Sequence, residues 1–315
     1  MTPPPERVIA IDVGGTTLKG ARVDRSGGVT AVAERPTLAP AGPRAVIDAV
    51  LQFAAELAQA PPRPKGLAVA VPGLVDERAG VVLSSANLGW HNVPIAELLR
   101  ERLKLSVTVR HDVRAAALAE GLLGAARAAS DYLLLTLGTG IGAAVVIGGR
   151  PYTGAHGLGG ELGHVAVGPS GPRCGCGRQG CLEALASAGH IARRYSAIGG
   201  QSETVSAEEV ARRAVAGDLT ADAVWREAVG ALGLAIANYA TLLDPELVVI
   251  GGGMAAAGDD LFVGVRHALA DHIRFGEPPP VVPAQLGAEA GRYGAASAAW
   301  REAGLAESEL SGWAR

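Results

Sequence analysis

The side chains with the most specific spacing for chemistry lie between positions 161 and 183. All three cysteines of the chain, Cys174, Cys176 and Cys181, fall within this segment, and His164 precedes them. One imidazole and three thiols form a complete tetrahedral ligand set for Zn²⁺. The alternative, a few free buried cysteines beside an unrelated histidine, is less favoured, because intervening glycines permit the tight turns that wrapping an ion requires. Since no ligand position stays open, we expect a structural zinc.

Two glycine-rich turns each follow an apolar strand pattern. The first is Asp12-Val-Gly-Gly-Thr-Thr17, and the second is Leu137-Gly-Thr-Gly-Ile-Gly142. Such a turn lets backbone N–H groups approach phosphate oxygens, and threonine hydroxyls add further donors. An ordinary hairpin turn explains either motif alone. Two turns of this kind favour phosphate binding, because they can hold a polyphosphate chain from both sides.

A carboxylate and a third glycine run also stand at predicted strand ends. Asp12 closes the first strand and can hold Mg²⁺ directly or through water. Val248-Val-Ile-Gly-Gly-Gly-Met254 closes a later strand with three glycines. This run permits close approach of a flat group such as adenine. Tight packing of a strand against a helix explains the run better when it is taken alone.

A second carboxylate, Asp112, separates a strand pattern from an alanine-rich helix pattern. A carboxylate at the mouth of a cleft and near a helix N-terminus is well placed to act as a general base. Aspartate is also a common helix N-cap, and the local pattern alone favours that structural role.

Strand and helix patterns alternate along the chain, which indicates the α/β class with functional loops at strand ends. The strand, Gly/Thr turn and strand at the start of the chain return after Asp131, which predicts two similar halves. The predicted strands are Val8–Asp12, Leu18–Val23, Gly66–Val71, Val107–Arg110, Tyr132–Leu137, Ile141–Ile147 and Leu247–Ile250. The predicted helices are Ala45–Ala60, Pro94–Leu103, Val113–Leu123, Glu183–Tyr195, Ala207–Ala216, Ala221–Leu243 and Gly294–Glu302.

The composition narrows the class of protein. The chain has 315 residues, of which 49% are hydrophobic and 19% charged, as in a globular protein of two domains. The net charge of −3 disfavours nucleic acid or an anionic membrane as the main partner. The N-terminal segment is too short for a signal peptide, and no apolar run is long enough for a membrane span. We therefore expect a cytoplasmic protein.

From about Val8 to Trp300, the chain resembles the ROK family of sugar kinases, the bacterial glucokinase type. The most specific match is Glu161-Leu-Gly-His164 followed by Cys174-Gly-Cys-Gly-Arg-Gln-Gly-Cys181-Leu-Glu183. The resemblance implies an α/β, two-lobed, actin-like (ribonuclease H-like) ATPase fold with ATP and sugar in the cleft. One small lobe would comprise residues 1–112 plus about 291–315. The larger lobe, 113–290, would carry the zinc loop 161–183.

The resemblance also implies a role for each candidate site residue. Asp112 is the catalytic base, and Glu161, His164 and Glu183 bind sugar hydroxyls. His164 also ligates zinc with Cys174, Cys176 and Cys181. ATP with Mg²⁺ is held by Asp12, Gly14, Gly15, Thr16, Gly138, Thr139, Gly140, Gly251, Gly252 and Gly253.

The chain departs from the family pattern at His111, where the family usually has a sugar-binding asparagine. Imidazole is bulkier than a carboxamide and cannot donate and accept from one forked end. We expect O6 phosphorylation of a hexose, with glucose as the leading candidate and an altered ranking among glucose, mannose, allose and N-acetylhexosamines. The alternative is a kinase for another hexose or for an N-acetylhexosamine. The resemblance further implies a homo-oligomer, a dimer or a tetramer.

Two other functions are weighed against the kinase. A sugar-responsive repressor of the same family would need a helix-turn-helix domain, and only seven residues precede the first predicted strand. A catalytically silent sugar-binding protein gains slight support from His111. The presence of Asp112 and both phosphate turns favours the enzyme.

Overall fold

The structure is a computed structural model that describes residues 5–168, 170–199 and 205–313. The chain divides into two compact units, of which the first comprises 1–127, 153–159 and 288–315 and the second 128–152 and 160–287. The predicted outer domain limits, residues 1 and 315, lie outside the described residues. Within the described ranges, no helix is both long and apolar enough to cross a membrane.

The elements alternate as predicted for the α/β class. The first unit contains β1 (Arg7–Val13), β2 (Thr17–Asp24), β3 (Val29–Pro36), α1 (Pro43–Gln59), β4 (Leu67–Val71), β5 (Leu74–Asp76), β6 (Val81–Ser85), β7 (Trp90–Val93), α2 (Ile95–Leu103), β8 (Val107–His111) and α3 (Asp112–Leu123). The second contains β9 (Tyr132–Leu137), β10 (Ile141–Ile147), β11 (Arg150–Pro151), α4 (Leu182–Ala186), α5 (Ala188–Gly199), α6 (Ala207–Val215), α7 (Leu219–Leu243), β12 (Leu247–Gly251), α8 (Asp259–His272) and β13 (Val281–Pro283). The first unit is completed by α9 (Ala290–Glu302) and α10 (Glu307–Leu310), and short 3₁₀ turns occur at Ala39–Ala41, Leu162–His164, Gly253–Ala257 and Gly287–Glu289.

The first unit is built on a sheet with strand order β3-β2-β1-β4-β8. Strand β1 is antiparallel to β2 and parallel to β4, which is parallel to β8. Helix α1 covers this sheet with an apolar face that includes Phe53 and Leu57, and a Cβ on Gly20 would lie 2.7 Å from both side chains. Glycine at this position of β2 therefore lets the helix approach the strand. Strands β5, β6 and β7 form a separate small sheet.

The sheet of the second unit repeats the arrangement, with order β11-β10-β9-β12-β13. Strand β9 is antiparallel to β10 and parallel to β12, as β1 is to β2 and β4. The long apolar helix α7 belongs to the hydrophobic core of this unit. The α/β class and the predicted similarity of the two halves are confirmed.

Two predicted boundaries differ from the structure. The first unit extends to Arg127 instead of residue 112, because α3 packs against α9 of the same unit. A Cβ on Gly294 would clash with the carbonyl of Ala115, so glycine allows this close helix contact. The predicted helix Glu183–Tyr195 is interrupted at Ser187, whose hydroxyl accepts the N–H of His190 at 3.3 Å and starts a new helix.

Candidate functional site

The first glycine turn joins β1 to β2. The N–H of Gly14 donates to the carbonyl of Thr17 at 2.9 Å, and the carbonyl of Gly14 accepts from the Thr37 hydroxyl at 2.7 Å. Gly15 is half-buried, and Thr16 is exposed. A phosphate-binding turn requires a backbone that hydrogen bonds hold in place and a tip that a ligand can reach, and this turn has both.

Asp12 and Asp112 lie at the same edge of the first sheet. Asp12 pairs in register with Ala70 of β4, which pairs with Arg110 at the end of β8. Burial and, to a smaller extent, the charge of Asp112 raise the pKa of Asp12 to about 7, against the opposing charges of Lys19 and Arg292. The approach of α9 contributes to this burial, because a Cβ on Gly291 would lie 2.6 Å from the Asp12 carboxylate.

Asp112 opens helix α3 with one carboxylate oxygen engaged. Its Oδ1 accepts the N–H of Val113 at 2.7 Å and lies 3.4 Å from Nε2 of His111. Among the described residues, its Oδ2 has no partner, and one third of the side chain is exposed. Asp112 is therefore the first residue of α3 and not its N-cap, which is His111 without a side-chain cap hydrogen bond, and Oδ2 of Asp112 is still available to a ligand.

His111 is the last residue of β8 and is 9% exposed. Its ring nitrogen Nδ1 is buried and finds no partner in the described part of the chain. Its main-chain N–H donates to Oε1 of Glu77 at 3.0 Å. Sequence reasoning did not identify Glu77, because the signal near this residue indicates a turn, and nothing local marks a contact with position 111.

The second unit brings its two glycine runs together. The N–H of Gly138 donates to the carbonyl of Gly140 at 2.9 Å, which closes the turn between β9 and β10. Gly252 follows β12 with a φ of 85°, and a Cβ there would clash with the carbonyl of Leu137. Glycine is therefore required at position 252 by both conformation and space. The predicted phosphate turn and the Gly251–Gly253 run lie side by side at one edge of this sheet.

Glu183, at the start of α4, connects this turn to the cysteine cluster. Its Oε2 accepts the N–H of Ile141 at 3.0 Å, and its Oε1 lies 3.7 Å from Sγ of Cys174. A Cβ on Gly140 would lie 2.6 Å from the same Oε2. The carboxylate therefore fits against the turn only because position 140 lacks a side chain.

The four predicted zinc ligands converge, with Nδ1 or Nε2 of His164 and three sulfurs all within 4.8 Å of one another. Sγ of Cys174 lies 3.5 Å from Nδ1 of His164, and Sγ of Cys176 lies 3.6 Å from Sγ of Cys181. Ligands of a tetrahedral Zn²⁺ ion are separated by about 3.5–3.8 Å when metal–ligand bonds are ~2.0–2.3 Å. The observed separations therefore fit zinc. Because Nδ1 of His164 faces the cluster, its other ring nitrogen, Nε2, stays available to a ligand. Glu161 directly precedes the 3₁₀ turn Leu162–His164 and is exposed.

The thiols of the cluster differ in their acid–base behaviour. Burial raises the pKa of Cys174 to about 12 and also raises the pKa of Cys181. The backbone N–H of Arg178 lowers the pKa of Cys176. A bound cation would displace protons from all three thiols, since thiolates are the ligating species.

The model of the family described as ROK matches residues 8–302. A glucokinase of Thermotoga maritima is 37% identical over 93% of this chain and 97% of its own length. The solved ROK hexokinase of Thermus thermophilus is 36% identical, with a TM-score of 0.84 over 95% of this chain and 100% of that one. A ROK family glucokinase of Streptomyces griseus, solved in complex with glucose and AMPPNP, is 29% identical, with a TM-score of 0.78 over 94% and 99% of the two chains.

Proposed function

Because this chain belongs to the ROK family, we propose that glucose is the hexose to which it transfers the terminal phosphoryl group of ATP. The chain is an ATP-dependent sugar kinase, as the glucokinase relatives and the complex with glucose and AMPPNP support. Its fold class is the actin-like α/β class that the family resemblance implied. The observation that carries the proposal is Asp112, with one oxygen fixed by the Val113 N–H and the other without a partner in the described ranges.

Asp112 is the general base in this proposal. Its Oδ1 is held by the helix N-terminus, so Oδ2 can accept the proton of the sugar O6 hydroxyl. As that proton leaves, O6 forms a bond to the γ-phosphorus, the bond to the β–γ bridging oxygen breaks, and ADP departs. Positioning and charge stabilisation supply most of the acceleration in such reactions.

The glycine turns bind the nucleotide. Gly14, Gly15 and Thr16 of the first unit, and Gly138, Thr139 and Gly140 of the second, contact the phosphates, and Gly251, Gly252 and Gly253 lie on the adenosine side. Asp12 would hold Mg²⁺, which would neutralise charge on the phosphates. The raised pKa of Asp12 reflects a buried carboxylate beside a second acid, a donor set that suits a divalent cation.

The sugar is bound by His111, Glu161, His164 and Glu183. Glu183 already accepts the Ile141 N–H, and its remaining lone pairs can accept a sugar hydroxyl. His164 would bind zinc through Nδ1 together with the three cysteines, which fixes the tautomer and the direction of Nε2 toward the sugar. This zinc is structural, because its four ligands leave no open position.

The proposed substrate and ligands also bear on the cellular compartment and the partners of the enzyme. A kinase that uses ATP and keeps three cysteines reduced for a metal suits the cytoplasm. We expect a homo-oligomer, a dimer or tetramer, with no nucleic acid or membrane as partner.

A coupled ADP-release screen across hexoses tests the proposed substrate. Glucose should give the largest kcat/KM, and mannose, allose and N-acetylhexosamines should follow in a ranking set by His111. The variant His111→Asn should shift this ranking without abolishing turnover. ATP consumption that no hexose stimulates would contradict the proposal, and so would an N-acetylhexosamine that outperforms glucose.

A further inference from the structure

A carboxylate outside the predicted site, Glu77, holds the chain on both sides of Asp112. Its Oε1 accepts the His111 N–H at 3.0 Å and a hydrogen bond from Nη1 of Arg114 at 3.3 Å. Its Oε2 accepts from Nη1 of Arg110 at 2.8 Å. These partners flank position 112, so one side chain fixes both the end of β8 and the first turn of α3.

The turn that carries Glu77 is itself firmly held. Glu77 lies between β5 and β6, where the Asp76 carboxylate accepts the N–H of Ala79 at 2.9 Å. The N–H of Gly80 donates to the Asp76 carbonyl at 2.8 Å, and the Gly80 carbonyl accepts the N–H of Ala96 in α2 at 3.1 Å. The position of Glu77 is therefore well defined, because its turn is stabilised by its own hydrogen bonds and by one to α2.

The contacts of Glu77 are shielded from solvent. Its side chain is 11% exposed and that of Arg114 is 3% exposed, so their hydrogen bonds are charge-assisted and weakly screened. Nη2 of Arg114 also donates to the carbonyls of Gly157 at 2.6 Å and Gly159 at 3.0 Å. The same network thus binds the segment that leads directly to Glu161.

We infer that Glu77 is a positioning residue for phosphoryl transfer, because it fixes the Arg110–His111 peptide on one side of Asp112 and Arg114 on the other, and thereby the direction of Oδ2 of Asp112. The inference rests on the proposed role of Asp112 as the base. Glu77 acts through the main chain and through Arg114, and it contacts neither sugar nor nucleotide. A misplacement of a reacting group by ~1 Å can reduce the rate by about 100-fold.

The test compares Glu77→Gln and Glu77→Ala with Glu120→Gln. Gln retains a carbonyl oxygen for the His111 N–H but loses the charge, whereas Ala loses every contact. Glu120 is a matched control, because it is a buried carboxylate of α3 that accepts the N–H of Ala125 at 2.7 Å, at the far end of the helix. Calorimetric titration with Mg²⁺ and AMPPNP counts the active sites in each preparation, so that kcat is expressed per folded molecule.

We expect kcat per site to fall about 10-fold in Glu77→Gln and about 100-fold in Glu77→Ala, with KM for ATP within about twofold of wild type. Glu120→Gln should lower the melting temperature and leave kcat per site unchanged. If the Glu77 variants lose only melting temperature or active-site count, Glu77 is structural and the inference is wrong. An equal loss of kcat in Glu120→Gln would also overturn it.

Asp112→Asn, measured in the same series, separates this inference from the proposed function. If Asp112→Asn loses turnover while both Glu77 variants keep it, only the positioning role fails. If Asp112→Asn keeps turnover, the assignment of the base fails and the positioning role fails with it.

Discussion

The β8–α3 junction and the segment 160–181 both carry proposed sugar contacts, but different interactions hold them in place. Asp112 stands between a strand paired in register and a helix, and its surroundings are fixed by one carboxylate, Glu77. Within the described part of segment 160–181, regular structure is limited to the short turn Leu162–His164 and isolated bridges such as Ala166 with Cys181. His164 and the three cysteines converge in this segment, and the zinc that we propose for them would supply the order that secondary structure does not. Hydrogen bonds to one carboxylate are therefore sufficient to hold the junction between a strand and a helix. An irregular loop requires a stronger constraint, such as a bound metal ion.

The largest effect is expected from breaking the cluster. Cys181→Ser, or removal of metal with a chelator, should release segment 160–181, which carries Glu161 and His164, together with the adjoining Glu183. We expect kcat/KM for the sugar to fall by more than about 100-fold, because a structural zinc site couples metal binding to local folding. Hydrogen exchange should accelerate in residues 160–183 and stay unchanged in β8 and α3.

His156→Ala is the control for that experiment, since His156 is exposed and lies outside the cluster. It should keep the metal content and kinetics of the wild type. A fully active Cys181→Ser protein that contains no zinc would contradict the account of this segment.

A smaller effect should follow from Gly140→Ala. This variant tests whether the position of Glu183 between the phosphate turn and the cysteine cluster matters for sugar binding. The new Cβ would push the Glu183 carboxylate away from the Ile141 N–H, and a flexible side chain can move without unfolding the protein. We expect about a 10-fold rise in KM for the sugar at unchanged zinc content. Gly230→Ala, in α7 with open space around it, should change neither value. Unchanged KM in Gly140→Ala would show that Glu183 does not contact the sugar.

The sequence predicted the parts of the molecule that local pattern determines. The strands around the glycine turns and the convergence of His164 with the three cysteines follow from apolar runs and ligand spacing, and the structure agrees. The role of Glu77 was not predictable, because its contact with His111 spans 34 positions and depends on how the β5–β6 turn packs. The unit boundary was misplaced for a similar reason. Helix α3 belongs to the first unit through its packing against α9, which no local signal reveals.

The central claim is that Asp112 removes the proton from the sugar hydroxyl, and Asp112→Asn tests it most directly. Asn keeps the size of the side chain and an oxygen for the Val113 N–H, but it cannot accept the proton. Rapid-quench measurement of sugar phosphate, beside calorimetric titration with glucose, should show kcat reduced by about 10²–10⁴-fold with glucose affinity retained. Asp48→Asn, an exposed change in α1, should leave both quantities unaltered. Near-normal turnover in Asp112→Asn would contradict the account.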